Sequence, residues 1–252
     1  MSPLMIHCGG RHVDKSELAL MIPPAPTHTH KPVAFADIVD CIERRVQREF
    51  GGIPYELGLG VNRASTQLFG AITLKPEHRD AKRTPTLGFR SSYDKSIAPA
   101  AAGGARVTVC DNMLFSGSFF TVVRKQTGDC WNDLEMLLMG AVAKLQEGFN
   151  TIDVEASTFE DVEVRTIEGY RQLGEMQGLG VLNQQQAGTA MRAWKSPTHE
   201  EFEPRTAWSL YNSITEGLKK GSPAHLMRQY TLVHQEMSAK YLQPGYPEVV
   251  LN

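Results

Sequence analysis

The chain has 252 residues, 41% of them hydrophobic and 21% charged, with a formal net charge of -2. This is the balance of a globular protein able to bury a core; it excludes wholesale disorder and any whole-molecule attraction to nucleic acid or anionic lipid. Cys8, Cys41, Cys110 and Cys130 are far apart and form no CxxC pair, which argues against a zinc ribbon or a dense disulfide framework and for reduced thiols. No basic-then-apolar leader and no run of about 18 apolar residues occurs, so a cytoplasmic protein that spans no membrane is expected.

Residues 1–33 read as an extended N-terminal arm, because Pro23, Pro24, Pro26 and Pro32 disfavour helix. Its apolar segment Leu18 to Ile22 points to an arm that wraps the body or a neighbouring subunit. Residues 34–252 read as a single α+β domain. Phe35, Ile38, Val39, Ile42, Val46 and Phe50 recur at three and four, which predicts an amphipathic helix ending at Gly51 and Gly52.

Strand signals follow at 55–61 and 67–74, joined as a hairpin by Asn62 to Ser65, and again at 86–93, 105–110 and 117–125. Ala100 to Ala105 read as a linker of small residues that lets a backbone or a phosphate approach closely. After Gly128 the spacing turns helical from Trp131 towards Ser157, with a weak point at Gly148. Further helices are predicted over 159–176, 183–194, 205–219 and 223–241, the last with Pro223 in a permitted first-turn position. The order predicts an antiparallel sheet with a βββα-type core and a C-terminal helical layer.

Charge is distributed unevenly along the chain. From Lys75 to Lys125 nine basic residues face four acidic ones, and from Asp129 to Arg165 nine acidic residues face two basic ones. A locally basic sheet face or hairpin tip can neutralise phosphates, and Tyr93, Phe119 or Phe120, if exposed, can stack on unpaired bases. The alternative is that these charges pair with the acidic helical segment across the fold.

The stretch from Gly88 to Gly117, GFRSSYDKSIAPAAAGGARVTVCDNMLFSG, carries a family resemblance through Ser92, Asp94, Ser96, Gly104, Arg106, Val109, Cys110 and Asn112. With Thr27 to Pro32 and Arg205 to Lys219, it resembles the phage/plasmid-like family described as domain of unknown function 932, except that Arg90-Ser91 stands where an Asn-Ser pair is usual. The resemblance implies a mobile-element or prophage setting and carries over no activity. The βββα order is also similar to that of single-strand annealing recombinases of the Red-beta and Erf type, which implies an oligomer holding DNA in a basic groove.

These readings make Arg90, Lys95, Arg106, Arg124 and Lys125, with Tyr93, the candidate nucleic-acid contacts, since guanidinium forks suit phosphate geometry. The expected role is non-catalytic binding or annealing of single-stranded DNA by a homo-oligomer. The competing expectation is a phage structural or host-interaction protein acting through its acidic helical layer. There Trp208, Asn212 and Glu216 recur every fourth residue beside the apolar face of their helix and form a candidate partner contact. No nucleotide-loop pattern accompanies Gly103 and Gly104, so no cofactor is expected. His7, Cys8, His12, His28 and His30 match no standard metal spacing, leaving a metal hydrolase as the third reading. Cys110 ends an apolar run with no assigned His partner and reads as a structural thiol.

Overall fold

A computed structural model describes residues 10–75, 82–107, 113–115, 121–123, 126–127, 130–219, 221 and 223–242. The fold is α+β. Its sheet contains β1 (Arg11–His12), β2 (Tyr55–Val61), β3 (Gln67–Leu74), β4 (Arg83–Ser92), β5 (Ala100–Val107), β6 (Met113–Phe115) and β7 (Thr121–Val123). Every pairing is antiparallel and follows chain order from β1 to β6. β6 lies against Gly104 to Arg106 and β7 against Ala100 to Ala102, so the two share the outer edge of β5.

Register defines two sheet faces. Leu59, Leu68, Ile72, Leu87 and Phe89 project to one face and pack under α2 (Phe35–Glu49) and α3 (Cys130–Ala143). Phe89 pairs with Gly70, where an added Cβ would lie 2.1 Å from the phenyl ring. The ring therefore rests on bare backbone, and Gly70 is required for that contact. The opposite face is built in rows of small groups, Gly58, Ala71, Gly88 and Ala102 in one row and Thr73, Thr86 and Gly104 in the next. Thr73 and Thr86 hydrogen-bond each other through their hydroxyls at 3.1 Å. Ala71, Thr73, Thr86, Ala100 and Ala102 are all buried, so both faces of β3 to β5 are shielded from solvent.

The second core is helical. α4 (Leu145–Asp161), α5 (Thr166–Gly178), α6 (Gln184–Lys195), α7 (Ala207–Leu218) and α8 (Pro223–Tyr241) surround Trp194, Tyr211, Phe159 and Ile214. α7 is its axis: apart from Glu216, every residue of that helix is buried. Thr206 caps α7 by accepting from Ser209 N, and Asn183 with Gln186 forms a capping box at α6, each satisfying amides that helix starts leave open. Gly217 approaches Gln186 O so closely that a Cβ would sit at 2.5 Å, which fixes the α6 and α7 contact.

Several sequence boundaries shift. Ala100 to Ala105 form β5 itself; Ala and Gly have low strand propensity, and covering on both faces is what places them there. The long helix from Trp131 breaks at Lys144 and not at Gly148, which is buried inside α4. The break falls where the burial partner changes: Leu134 to Leu145 belong to the sheet-side core and Ile152 to Phe159 to the helical one. The predicted helix 159–176 is divided because Val162 and Val164 pair with the backbone of Arg205 and Ala207. The arm is partly folded. β1 pairs with β2, and α1 (Lys15–Ala19) starts in an Asp14/Glu17 capping box, buries Leu18 and ties Lys15 to Asp40 and Glu43 of α2 at 2.6 Å each. Leu20 and Ile22 of the predicted apolar contact stay exposed.

Candidate functional site

Arg83 opens β4 with only 4% of its side chain exposed. Its Nε donates to Asp153 Oδ1 at 2.7 Å, Nη1 to Glu160 Oε1 at 2.8 Å and Nη2 to Ser157 Oγ at 3.1 Å, while the guanidinium carbon lies 4.9 Å from the centroid of the Trp208 ring. A fork whose three nitrogens each donate to one helix, with an indole beneath it, binds sheet to bundle. Lys82 adds a 2.8 Å contact to Glu160. Burial alone would raise the Glu160 carboxyl, but the hydrogen bonds from Lys82 and Arg83 outweigh it and hold that group below its ordinary value.

The candidate phosphate contacts do not form one open surface. Arg106 Nη1 reaches across to Glu56 Oε2 at 3.3 Å, and Lys75 approaches the same carboxylate at 3.9 Å. Arg90 is half-buried between Phe69 and Ala100, and burial pulls its guanidinium below the ordinary value. Lys95 is exposed, in the left-handed region at φ 64°, on a turn cross-tied by Thr66 Oγ1 to Asp94 Oδ2 at 2.7 Å and Gln67 Nε2 to Ser96 Oγ at 2.6 Å. The Ser92, Asp94 and Ser96 of the sequence motif thus build a turn. Arg124 and Lys125 lie outside the described residues, as do Val109, Cys110, Asn112, Phe119 and Phe120.

Tyr93 is unsuited to base stacking. It is 8% exposed, its ring is stacked on Phe35 with centroids 3.7 Å apart, and its hydroxyl donates to Met21 O and accepts from Phe35 N, each at 3.0 Å. The tyrosine anchors the arm to α2. Burial raises its hydroxyl pKa.

The predicted partner contact on α7 is corrected in two of its three residues. Trp208 is 6% exposed because its indole lies under Arg83 and against Tyr211. Asn212 is 2% exposed and donates through Nδ2 to Trp208 O at 2.9 Å. Glu216 is the outward member and meets Lys219 at 2.5 Å.

Asn212 and Glu216 nonetheless line a small groove between α7 and the end of α6. Ala193, Pro197 and Phe202 supply its apolar wall, Ser209, Asn212 and Ser213 its polar floor, and His199 lies edge-on to Phe202 with ring centroids 5.8 Å apart. Beside it the 3₁₀ turn Glu200–Phe202 carries exposed Glu200 and Glu201, followed by exposed Glu203. Lys195 is exposed on the same stretch, and Arg205 is drawn onto the Trp194 ring and the carbonyls of Trp194 and Lys195. Ser209 and Ser213 escaped the sequence reading; their spacing with Asn212 and Glu216 marks a polar stripe on an otherwise apolar helix, and that signal could have found them.

A second buried polar group joins α4, α7 and α8. His234 Nε2 lies 2.8 Å from Glu155 Oε2 and His234 Nδ1 3.4 Å from the Tyr211 hydroxyl. Burial drives the Tyr211 hydroxyl pKa well above its ordinary value. Among the described residues no group of three His, Cys, Asp or Glu side chains is placed to hold a metal ion, and no helix is long and apolar enough to cross a membrane. His7 and Cys8 lie outside the described residues.

Compared with family models, curated proteins and solved structures, the chain matches none.

Proposed function

We propose that this chain is a non-catalytic protein-binding component that acts through its helical layer, in keeping with the structural or host-interaction reading of the sequence. One observation carries the proposal: the exposed acidic turn Glu200, Glu201 and Glu203 stands beside a small groove of mixed apolar and polar lining between α6 and α7, whereas both faces of β3 to β5 are shielded from solvent. The charge pairing supports it from the other side. Lys82 and Arg83 meet Asp153 and Glu160 of the acidic helical segment, and Arg106 and Lys75 meet Glu56. Cations held in this way have fewer counterions to release on meeting phosphate, which weakens the salt-dependent attraction a nucleic-acid platform relies on.

The test pits two ligands against each other. The protein is screened against a displayed library of random peptides and titrated with fluorescent oligothymidylate at low salt. Peptides whose binding is lost when Glu200, Glu201 and Glu203 are changed together to Lys are expected, with no anisotropy change from the oligonucleotide. Oligonucleotide binding that falls on Arg124→Glu and Lys125→Glu would overturn the proposal and return the chain to single-stranded DNA.

A further inference from the structure

We propose that the proline-rich arm from Leu20 to Pro26 is a docking segment for a protein with an aromatic-lined, polyproline-reading groove, a site separate from the helical layer and independent of the reading above. Covalent geometry fixes the shape of this segment. Pro23, Pro24 and Pro26 lock their own φ at about -65°, and a proline drives the residue before it into extended backbone. Ile22, Pro23 and Ala25 are thus held extended, and Pro24 and Pro26 have φ set for the same polyproline II path, of which five residues span about 15 Å. Residues 21–26 are free of helix and strand, and both ends are pinned: the Tyr93 hydroxyl donates to Met21 O at 3.0 Å, Thr27 N donates to His30 O at 2.8 Å and Lys31 N to Gln126 O at 2.9 Å. A segment ordered in advance loses little entropy on docking.

Between those ties the arm offers apolar surface to solvent. Leu20 is 80% and Ile22 85% exposed, and Pro24, Ala25 and Pro26 are exposed beside a half-buried Pro23. The order Ile22, Pro23, Pro24, Ala25, Pro26 places two apolar-proline pairs three residues apart; three residues complete one turn of polyproline II, so both pairs lie along one ridge. The kind of partner follows by exclusion. Pro23, Pro24 and Pro26 have no N–H to give, so the segment cannot add as a strand to a sheet edge. No Lys or Arg stands between Lys15 and Lys31, which leaves phosphate and anionic lipid without an attraction. No aromatic ring is among the exposed large apolar side chains of the described residues, so a second copy brings no matching groove. Flat rings separated by slots fit proline edges, and their indole and phenol hydrogens suit the carbonyls that a polyproline path leaves solvated.

The probes are purified SH3, WW and EVH1 domains, titrated one by one into the isotopically labelled full chain and followed by amide chemical shifts. At least one domain is expected to give saturable shifts at Leu20, Ile22, Ala25 and Thr27. Pro23→Ala combined with Pro26→Ala should weaken that binding about tenfold, since each proline fills one slot of the groove. Thr29→Ala, outside the apolar-proline pairs, should leave it unchanged, and unaltered amide spectra over the rest of both variants would separate lost binding from lost fold. Saturable shifts on another surface alone, binding that survives the double proline change, or no shift from any of the domains would overturn the inference. A domain released by the Lys substitutions at Glu200, Glu201 and Glu203 but indifferent to the prolines would sink this inference and leave the protein-binding reading standing. Proline-dependent binding would stand even if the oligonucleotide titration removed that reading.

Discussion

Between β2 to β5 and the pair α2 and α3, burial is a matter of hydrocarbon: Leu59, Leu68, Ile72, Leu87 and Phe89 meet Phe35, Ile38, Val39 and Ile42. Around α7 a similar degree of burial is reached with Arg83, Asn212, His234, Gln186 and Thr215 inside. Directional groups accept few docking registers, while hydrocarbon of about the right volume accepts many. The sheet side has its register fixed by backbone pairing and can pack with aliphatics. The bundle has no such ladder between helices, and its polar contacts take over that role.

Substitutions can break this contrast from either side. The largest effect is expected from Phe89→Ala, which opens a void over Gly70 and should cost about 3–4 kcal/mol in urea unfolding. Arg83→Met removes the fork between β4 and α4 but leaves Asp153 and Glu160 partly hydrated, 45% and 26% exposed along their side chains. Its cost should be about 2 kcal/mol, below that of breaking a fully buried pair. Emission from Trp194 and Trp208, both in the helical core, should report that loss.

A finer test uses acid. Because the folded Glu160 carboxyl lies below its ordinary value of 4.5, its contribution to stability is present above that pH and is lost as pH falls through the folded value. Arg83→Met should therefore flatten the decline of stability on acidification, as read by tryptophan emission. Tyr93→Phe removes a hydroxyl bonded to Met21 O and Phe35 N and should cost about 1–2 kcal/mol while loosening the arm, measured by amide exchange over residues 15–22. The smallest change runs the other way: Lys95→Gly relieves a left-handed residue and should stabilise by about 0.5 kcal/mol.

What the residues disclose beforehand follows the same division. The stripe of α2, the hairpin of β2 and β3, and α8 beginning at Pro223 were all legible, because each depends on local spacing or a single ring. β5 was not legible, since Ala100 to Gly104 become strand only when β4 and the outer strands hold them. The strand and helix charges were visible as two blocks, but the meeting of Arg83 with residues 70 and 77 positions away is a tertiary event. For the groove, Asn212 and Glu216 were marked by their four-residue interval. His199 and Phe202 were missed because only the turn after α6 brings them beside α7.

The meander has a consequence for biogenesis. Strands β1 to β6 are hydrogen-bonded in the order in which a ribosome would release them. From β3 onward each can join the growing edge as it emerges, closing a short loop and waiting for no distant segment; only the pairing of β1 with β2 spans the intervening α1 and α2. The bundle is different: Arg83 finds its carboxylates only after about 70 more residues have been made. During synthesis the nascent sheet would therefore carry an unmatched guanidinium, and its capture by α4 is the event that joins the early half of the polypeptide to the late one.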